Sequence, residues 1–203
     1  MNVESALTPA QRRVLADLRE RDLRERSAGL RTSMSLMALA EEVAQLLFVL
    51  VVQNGAKTIV EFGTSHGYST IHLAAAAERT RGHVYTVDAL AEKTGLAAAN
   101  LEAAGLMSRV TLTTADGADF VRTLPAGIDF VLVDYPIPAF EKAFPALRDR
   151  LSARAMIFVD GGPAGYWDRD DVRPFRAALE QDPEFLLMTL PMKKDQLLIV
   201  RVG

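Results

Sequence analysis

Ile59-Val60-Glu61-Phe62-Gly63-Thr64-Ser65-His66-Gly67-Tyr68-Ser69-Thr70 is the stretch that decides the fold, because it reads as a strand, a glycine-punctuated turn and the start of a helix. Gly63 and Gly67 let the backbone turn sharply and approach a ligand closely, and a helix beginning near Ser69 points its free N–H groups back at the turn. The glycines are four residues apart with Ser65 between them, which departs from the G-x-G-x-x-G spacing of a pyrophosphate-binding turn. Glu61 sits directly before the turn, where its carboxylate would repel a pyrophosphate. A ligand bringing a cationic amino group and ribose hydroxyls suits it better.

Outward from this turn the chain alternates. Apolar strand patterns at Thr58–Phe62, Val84–Val87, Val110–Thr113, Phe130–Val133 and Met156–Val159 are separated by helical patterns at Ser69–Ala77, Glu92–Ala104, Ala118–Thr123 and Phe140–Leu151. Such alternation predicts a parallel sheet covered by helices on both faces. The rhythm then breaks, since Phe185–Leu190 and Gln196–Val202 are joined by only Pro191-Met192-Lys193-Lys194-Asp195, which leaves room for an antiparallel hairpin and no helix. Before the first strand, Thr8-Pro9-Ala10-Gln11 has the form of a capping box and opens a charged helix from Pro9 to about Arg26, and a second helix is expected over Leu36–Gln53 with Asn54-Gly55 as its stop. The prediction is one α/β domain over residues 1–203, with residues 1–55 as a helical cap and 56–203 as a Rossmann-like core.

Composition sets limits. The 203 residues are 49% hydrophobic, enough for one large core, and a net charge of −3 gives no general attraction to nucleic acid or anionic membrane. The absence of cysteine removes disulfides and thiolate metal sites and suits a cytoplasmic protein. Met1 to Arg26 is too polar and charged for a signal peptide, and the longest apolar stretch, Leu46 to Val52, is too short to span a bilayer.

Open α/β sheets bind ligands beyond the C-terminal ends of their strands. Asp88 closes the second strand, where its carboxylate is placed to accept from two ribose hydroxyls. Asp116 and Gly117 follow the third, suited to an adenine amino group and ring, with helix capping as the plainer use of Asp116. Asp134 and Asp160 close the fourth and fifth, two carboxylates at neighbouring tips that together suit a hard divalent cation. No pair of His66, His72 and His83 has a metal-binding spacing. Tyr166 and Trp167, after the flexible run Gly161–Gly165, either stack on an aromatic ligand or pack on a helix beginning near Asp171.

The pattern E-[hydrophobic]-G-x-x-x-G-Y-S, present as Glu61, Gly63, Gly67, Tyr68 and Ser69, resembles that of the class I S-adenosylmethionine-dependent methyltransferases, within them the catechol and caffeoyl-CoA O-methyltransferase group. The resemblance runs from about Met37 to the C-terminus and is specific at the turn. It implies the seven-stranded methyltransferase fold, mostly parallel with a C-terminal antiparallel hairpin, and methylation of a small hydroxylated acceptor, aromatic ones included. It implies a cofactor site of Glu61, Gly63, Thr64, Ser65, Gly67, Ser69, Asp88, Asp116, Gly117, Asp134 and Tyr135. Met37 joins them because Met37 to Gln45 resembles the family's M-x-V-x-x-x-x-G-Q segment, with Leu39 and Ala44 in place of the valine and glycine.

In that family the two acids, with an asparagine directly after the second, hold the metal, Mg²⁺ being the expected ion, and a lysine three residues past the first takes the acceptor's proton. Here those positions are Gly161 and Ile137. Three readings therefore stand open: metal-dependent transfer with Asp134 and Asp160 as catalytic and metal residues; metal-independent transfer with Asp134, Asp160, Tyr135 or His66 handling the proton; and cofactor binding without turnover. A nicotinamide-dependent oxidoreductase is a further alternative, disfavoured by the glycine spacing and the hairpin. The family's dimers form through their N-terminal helices, which makes a homodimer the expectation. No nucleic acid or membrane partner is expected.

Overall fold

The computed structural model describes residues 2–203. Its sheet has seven strands, β1 (Thr58–Phe62), β2 (His83–Asp88), β3 (Val110–Thr114), β4 (Ile128–Val133), β5 (Leu151–Val159), β6 (Phe185–Pro191) and β7 (Asp195–Arg201), in the order β3-β2-β1-β4-β5-β7-β6. The first five run parallel, and β7 lies antiparallel between β5 and β6. Strand order reverses between β1 and β4, so the tips of β1, β2 and β4 diverge there and leave a crevice.

Alternate residues of the central strands feed two cores. Ile59, Val84, Phe130, Leu132 and Phe158 face one side, covered by α2 (Pro9–Ser27), α3 (Glu41–Asn54), α4 (Tyr68–Thr80) and α5 (Ala91–Ala103). Val60, Phe62, Val131, Val133, Ile157 and Val159 face the other, under α6 (Gly117–Thr123), α7 (Ile137–Arg148) and α8 (Arg173–Glu180). Burial on both faces is why these strands read as continuous apolar runs. A short α1 (Val3–Ala6) precedes them, and among the described residues no helix is long and apolar enough to cross a membrane.

The capping box of α2 is present: Gln11 N–H donates to Thr8 Oγ1 at 3.2 Å and Thr8 N–H to Gln11 Oε1 at 2.9 Å. The helix expected from Leu36 instead begins at Glu41. The reason is tertiary, since acids of α2 hold this segment off a helical course: Leu36 N–H donates to Glu25 Oε2 at 2.7 Å and Ala38 N–H to Asp22 Oδ1 at 3.0 Å. Between them Met37 adopts φ +47°. Residues 36–40 thus form an extended strap along α2. The helix expected from Phe140 starts at Ile137, with Pro138 in its first turn, and ends at Arg148, while β5 starts at Leu151 because Leu151 pairs with Ile128.

Asp22 is buried and also pairs with Arg26 Nε at 2.7 Å. Asp22→Ala should therefore release the strap and lower the unfolding free energy by about 1–3 kcal/mol, measured by urea titration. A change below about 0.5 kcal/mol would mean the strap is held elsewhere.

Candidate active site

The turn after β1 is built around a carboxylate without solvent contact. Glu61 Oε1 accepts from Ser69 Oγ at 2.5 Å, and Oε2 accepts from Thr70 Oγ1 at 2.5 Å and Thr86 Oγ1 at 2.6 Å, which ties β1 to β2 and to the first turn of α4. Burial pushes its carboxyl up to about 7, against the pull of those three hydroxyls. Thr64 also turns inward, its hydroxyl 2.6 Å from that of Thr86. Ser65, at φ +48°, donates its N–H to Asp88 Oδ2 and its hydroxyl to the Leu36 carbonyl, both at 2.9 Å, so it fastens the turn to β2 and to the strap. The side chains of Glu61, Thr64, Ser65 and Ser69 are thus committed to the turn and do not line a cleft.

Gly63 does line one. Its φ is +102°, and a Cβ there would collide with the Asp134 carbonyl oxygen, so only glycine lets β1 and β4 close at the crevice. Around the same cleft stand Asp88, Asp116, Gly117, Asp134 and Tyr135. Asp88 accepts N–H groups of Ser65 and Leu90, the latter at 3.0 Å, and Asp116 Oδ1 caps α6 through Ala118 N–H at 2.8 Å. Tyr135 stacks on Phe62 with ring centroids 5.7 Å apart and lies over Gly117, where a Cβ would meet its Oη at 2.7 Å. That Oη is buried and has no hydrogen-bond partner among the described residues, and burial followed by the Asp116 charge raises the phenol to about 12, so it remains a donor. Gly67 (φ +87°) sits apart from the cleft, packed on Ala97 of α5.

Asp134 and Asp160 are side by side, since β4 and β5 pair Val133 with Val159. Burial and then the Asp160 charge push the Asp134 carboxyl above the usual range, while Lys194 and Lys93 pull the other way. Asp160 is already engaged: Lys194 Nζ ion-pairs with Oδ2, and Gln196 Nε2 donates to Oδ1 at 3.2 Å. With both oxygens facing donors, and Gly161 offering no side chain, the two acids do not fit a divalent cation; among the described residues no cluster of three or more His, Asp or Glu stands ready to hold one. Sequence reading took residues 191–195 only as a hairpin loop and missed Lys194 and Gln196. The one available signal was a lysine pair beside a strand that must lie next to Asp160.

Asp160, Lys194 and Gln196 line a second groove of about 320 Å³, walled by Arg19, Leu23 and Arg26 of α2 and by Ala38 and Leu39 of the strap. Gln196 Oε1 is buried and, among the described residues, unpartnered. Met37 stands outside the Asp88–Asp116 cleft, exposed on the strap near Lys194. His66 is buried, and its pKa is lowered by burial and by Arg21 and Lys93, charges of α2 and α5; among the described residues neither ring nitrogen has a well-formed hydrogen bond, and it does not line either cleft. Trp167 is a core residue: its Nε1 donates to the Asp195 carbonyl at 2.8 Å, and its ring meets Tyr166 edge-on at 5.2 Å.

A family model described as a methyltransferase domain matches residues 60–161, half of the chain. A comparison with curated proteins gave no match. Among solved structures, the chain is similar to an O-methyltransferase from Bacillus cereus in complex with SAH, at 22% identity and TM-score 0.77, covering 93% of this chain and 90% of that one. It is also similar to TomG, an O-methyltransferase from Streptomyces achromogenes involved in tomaymycin synthesis and solved with SAM, at 24% identity and TM-score 0.78, with 92% and 89% covered. A third is SAH-bound methyltransferase PaMTH1 from Podospora anserina, at 19% identity and TM-score 0.76, with 96% and 88% covered. At these identities the likeness is one of fold.

The raised carboxyl of Glu61 gives a stability prediction. Its folded pKa of about 7 lies above the unfolded 4.5, so its contribution is fully present below 4.5 and is lost as pH rises towards 7. Between pH 5 and 7.5 the stability of Glu61→Gln relative to wild type should therefore rise by up to about 3 kcal/mol, read by urea titration at each pH. A difference independent of pH would mean Glu61 ionises normally.

Proposed function

The chain belongs to the methyltransferase-domain family, and from that premise we propose an S-adenosylmethionine-dependent O-methyltransferase acting on a small hydroxylated acceptor. The observation that carries this reading is the cleft beyond β2, β3 and β4, where three carboxylates and an unpartnered phenol face one space beside the glycine turn. A ligand with ribose hydroxyls and a heteroaromatic ring suits them: Asp88 accepts the ribose hydroxyls, and Asp116 with Tyr135 meets the ring's polar edge. The ligands held by the Bacillus cereus and Streptomyces achromogenes proteins support the choice of cofactor. When bound, S-adenosylmethionine supplies a methyl group on a positively charged sulfur.

The chain's own groups do the rest. Asp134 lines the cofactor cleft and its neighbour Asp160 lines the second groove, so the two spaces meet at this pair. Ala38 and Leu39 give the groove an apolar side, and the Oε1 of Gln196, unpartnered among the described residues, accepts from a donor of the acceptor molecule other than the reacting hydroxyl. Asp160 is held by Lys194 and Gln196, which leaves Asp134 to receive the proton that the hydroxyl releases. Glu61, Thr64, Ser65, Gly67 and Ser69 support this by fixing the turn. The position of β7 between β5 and β6 and the absence of G-x-G-x-x-G leave nothing to favour nicotinamide chemistry.

We read residues 1–203 as one domain, a cap of residues 1–55 on a core of 56–203. The chain is read as cytoplasmic, in line with its lack of cysteine, and as a homodimer that covers the exposed Val49 and Val52 of α3.

Calorimetry with S-adenosylhomocysteine tests the reading. Wild type should bind, and Asp88→Ala should bind about tenfold to a hundredfold more weakly through loss of charge-assisted hydrogen bonds. No binding by wild type, or equal binding by the variant, would sink it.

A further inference from the structure

Two acids on adjacent strand tips, Asp160 buried and Asp134 half-buried, call for nearby positive charge, because neighbouring carboxylates in a part-dry site oppose each other's ionisation. The resemblance noted above supplies that charge with a divalent cation and an asparagine ligand. This chain has Gly161 at the asparagine position and an ammonium on Asp160.

These two differences have one structural cause. Gly161 adopts φ +49°, and a Cβ there would fall on the Asp195 carbonyl oxygen, so any side chain at 161 would push the β6–β7 hairpin away. With glycine the hairpin closes on the loop after β5: Asp195 N–H donates to the Gly162 carbonyl, Gly165 N–H to Asp195 Oδ2 and Trp167 Nε1 to the Asp195 carbonyl, each at 2.8 Å. Asp195 is thereby clamped from three sides, and its neighbour Lys194 is delivered onto Asp160. Lys194 and Lys93 both favour the ionised form of Asp134, against the charges of Asp160 and Glu61. Lys93 is itself buried, at the start of α5, and forms no ion pair among the described residues.

We infer that the ammonium of Lys194, set on Asp160 by the hairpin that Gly161 admits, replaces the divalent cation at the Asp134–Asp160 pair, so that this protein's site excludes metal. The inference deepens the methyltransferase reading and rests on it.

Mn²⁺ titration followed by electron paramagnetic resonance, with melting temperatures taken with and without Mn²⁺, tests it on wild type, Lys194→Met and Asp160→Asn. Wild type should leave free Mn²⁺ undepleted and its melting temperature unmoved. Lys194→Met uncovers two acids without their cation and should bind Mn²⁺ at least about tenfold more tightly, with a melting temperature that the metal raises. Mn²⁺ uptake by wild type that Asp160→Asn abolishes would overturn the inference, as would a Lys194→Met variant that binds no better than wild type. Should Lys194→Met fail to fold, Lys194→Gln takes its place, and the wild-type arm decides without any variant. Calorimetry with S-adenosylhomocysteine runs alongside: its failure on wild type counts against the methyltransferase reading, whereas metal uptake with cofactor binding intact counts against the Lys194 inference alone.

Discussion

The hydroxyl cage around Glu61 is the constraint on which the rest of the site depends. A carboxylate in a dry interior is tolerated only where donors replace its water, and Ser69, Thr70 and Thr86 do so from two different elements. Their convergence fixes the distance between β1 and β2 and seats the start of α4 above the crevice. Ser65 then takes a left-handed conformation and carries its N–H to Asp88 and its hydroxyl to the strap. The cleft carboxylates are in this sense positioned by a network that never faces the cleft. The strain of a non-glycine residue at positive φ, about 1–3 kcal/mol, is offset by the two bonds it makes possible.

Much of the fold was legible in the sequence because buried parallel strands and their helices carry strong periodic signals, and because the final two strands are too close together to admit a helix. The strap was not legible. Leu36 to Ala40 has a helical pattern, and what prevents a helix is a pair of acids eleven and sixteen residues earlier, a tertiary effect that local propensity does not contain. At the site, the residues at strand tips were found where the sequence put them: Asp88, Asp116, Asp134 and Asp160 all stand at the crevice or its neighbouring groove. The residues within the turn were harder to read, since a motif names Glu61, Thr64, Ser65 and Ser69 without saying which way each side chain points. In the structure they point inward.

The Asp134–Asp160 side carries the larger surprise. Reading Gly161 as a lost ligand treated one position by itself, whereas in space that glycine is a point of contact between two segments more than thirty residues apart. Trp167 belongs to the same contact. Its burial and its bond to the Asp195 carbonyl make it part of the clamp rather than a platform for a ring, and Gly162 beside it leaves the room that Tyr166 fills.

Arg19, Asp22, Leu23 and Arg26 recur at helical intervals, so the wall of the second groove is a single face of α2. The rest of its lining belongs to the strap, the tip of β5 and the β6–β7 hairpin, and among the described residues the Asp88–Asp116 cleft draws nothing from α2. On the proposed reading, selectivity for the acceptor is written largely on Arg19 and Leu23, side chains of that face that take no part in holding the strap as Asp22 and Arg26 do. In such an arrangement a lineage can change what it methylates while leaving untouched how it methylates.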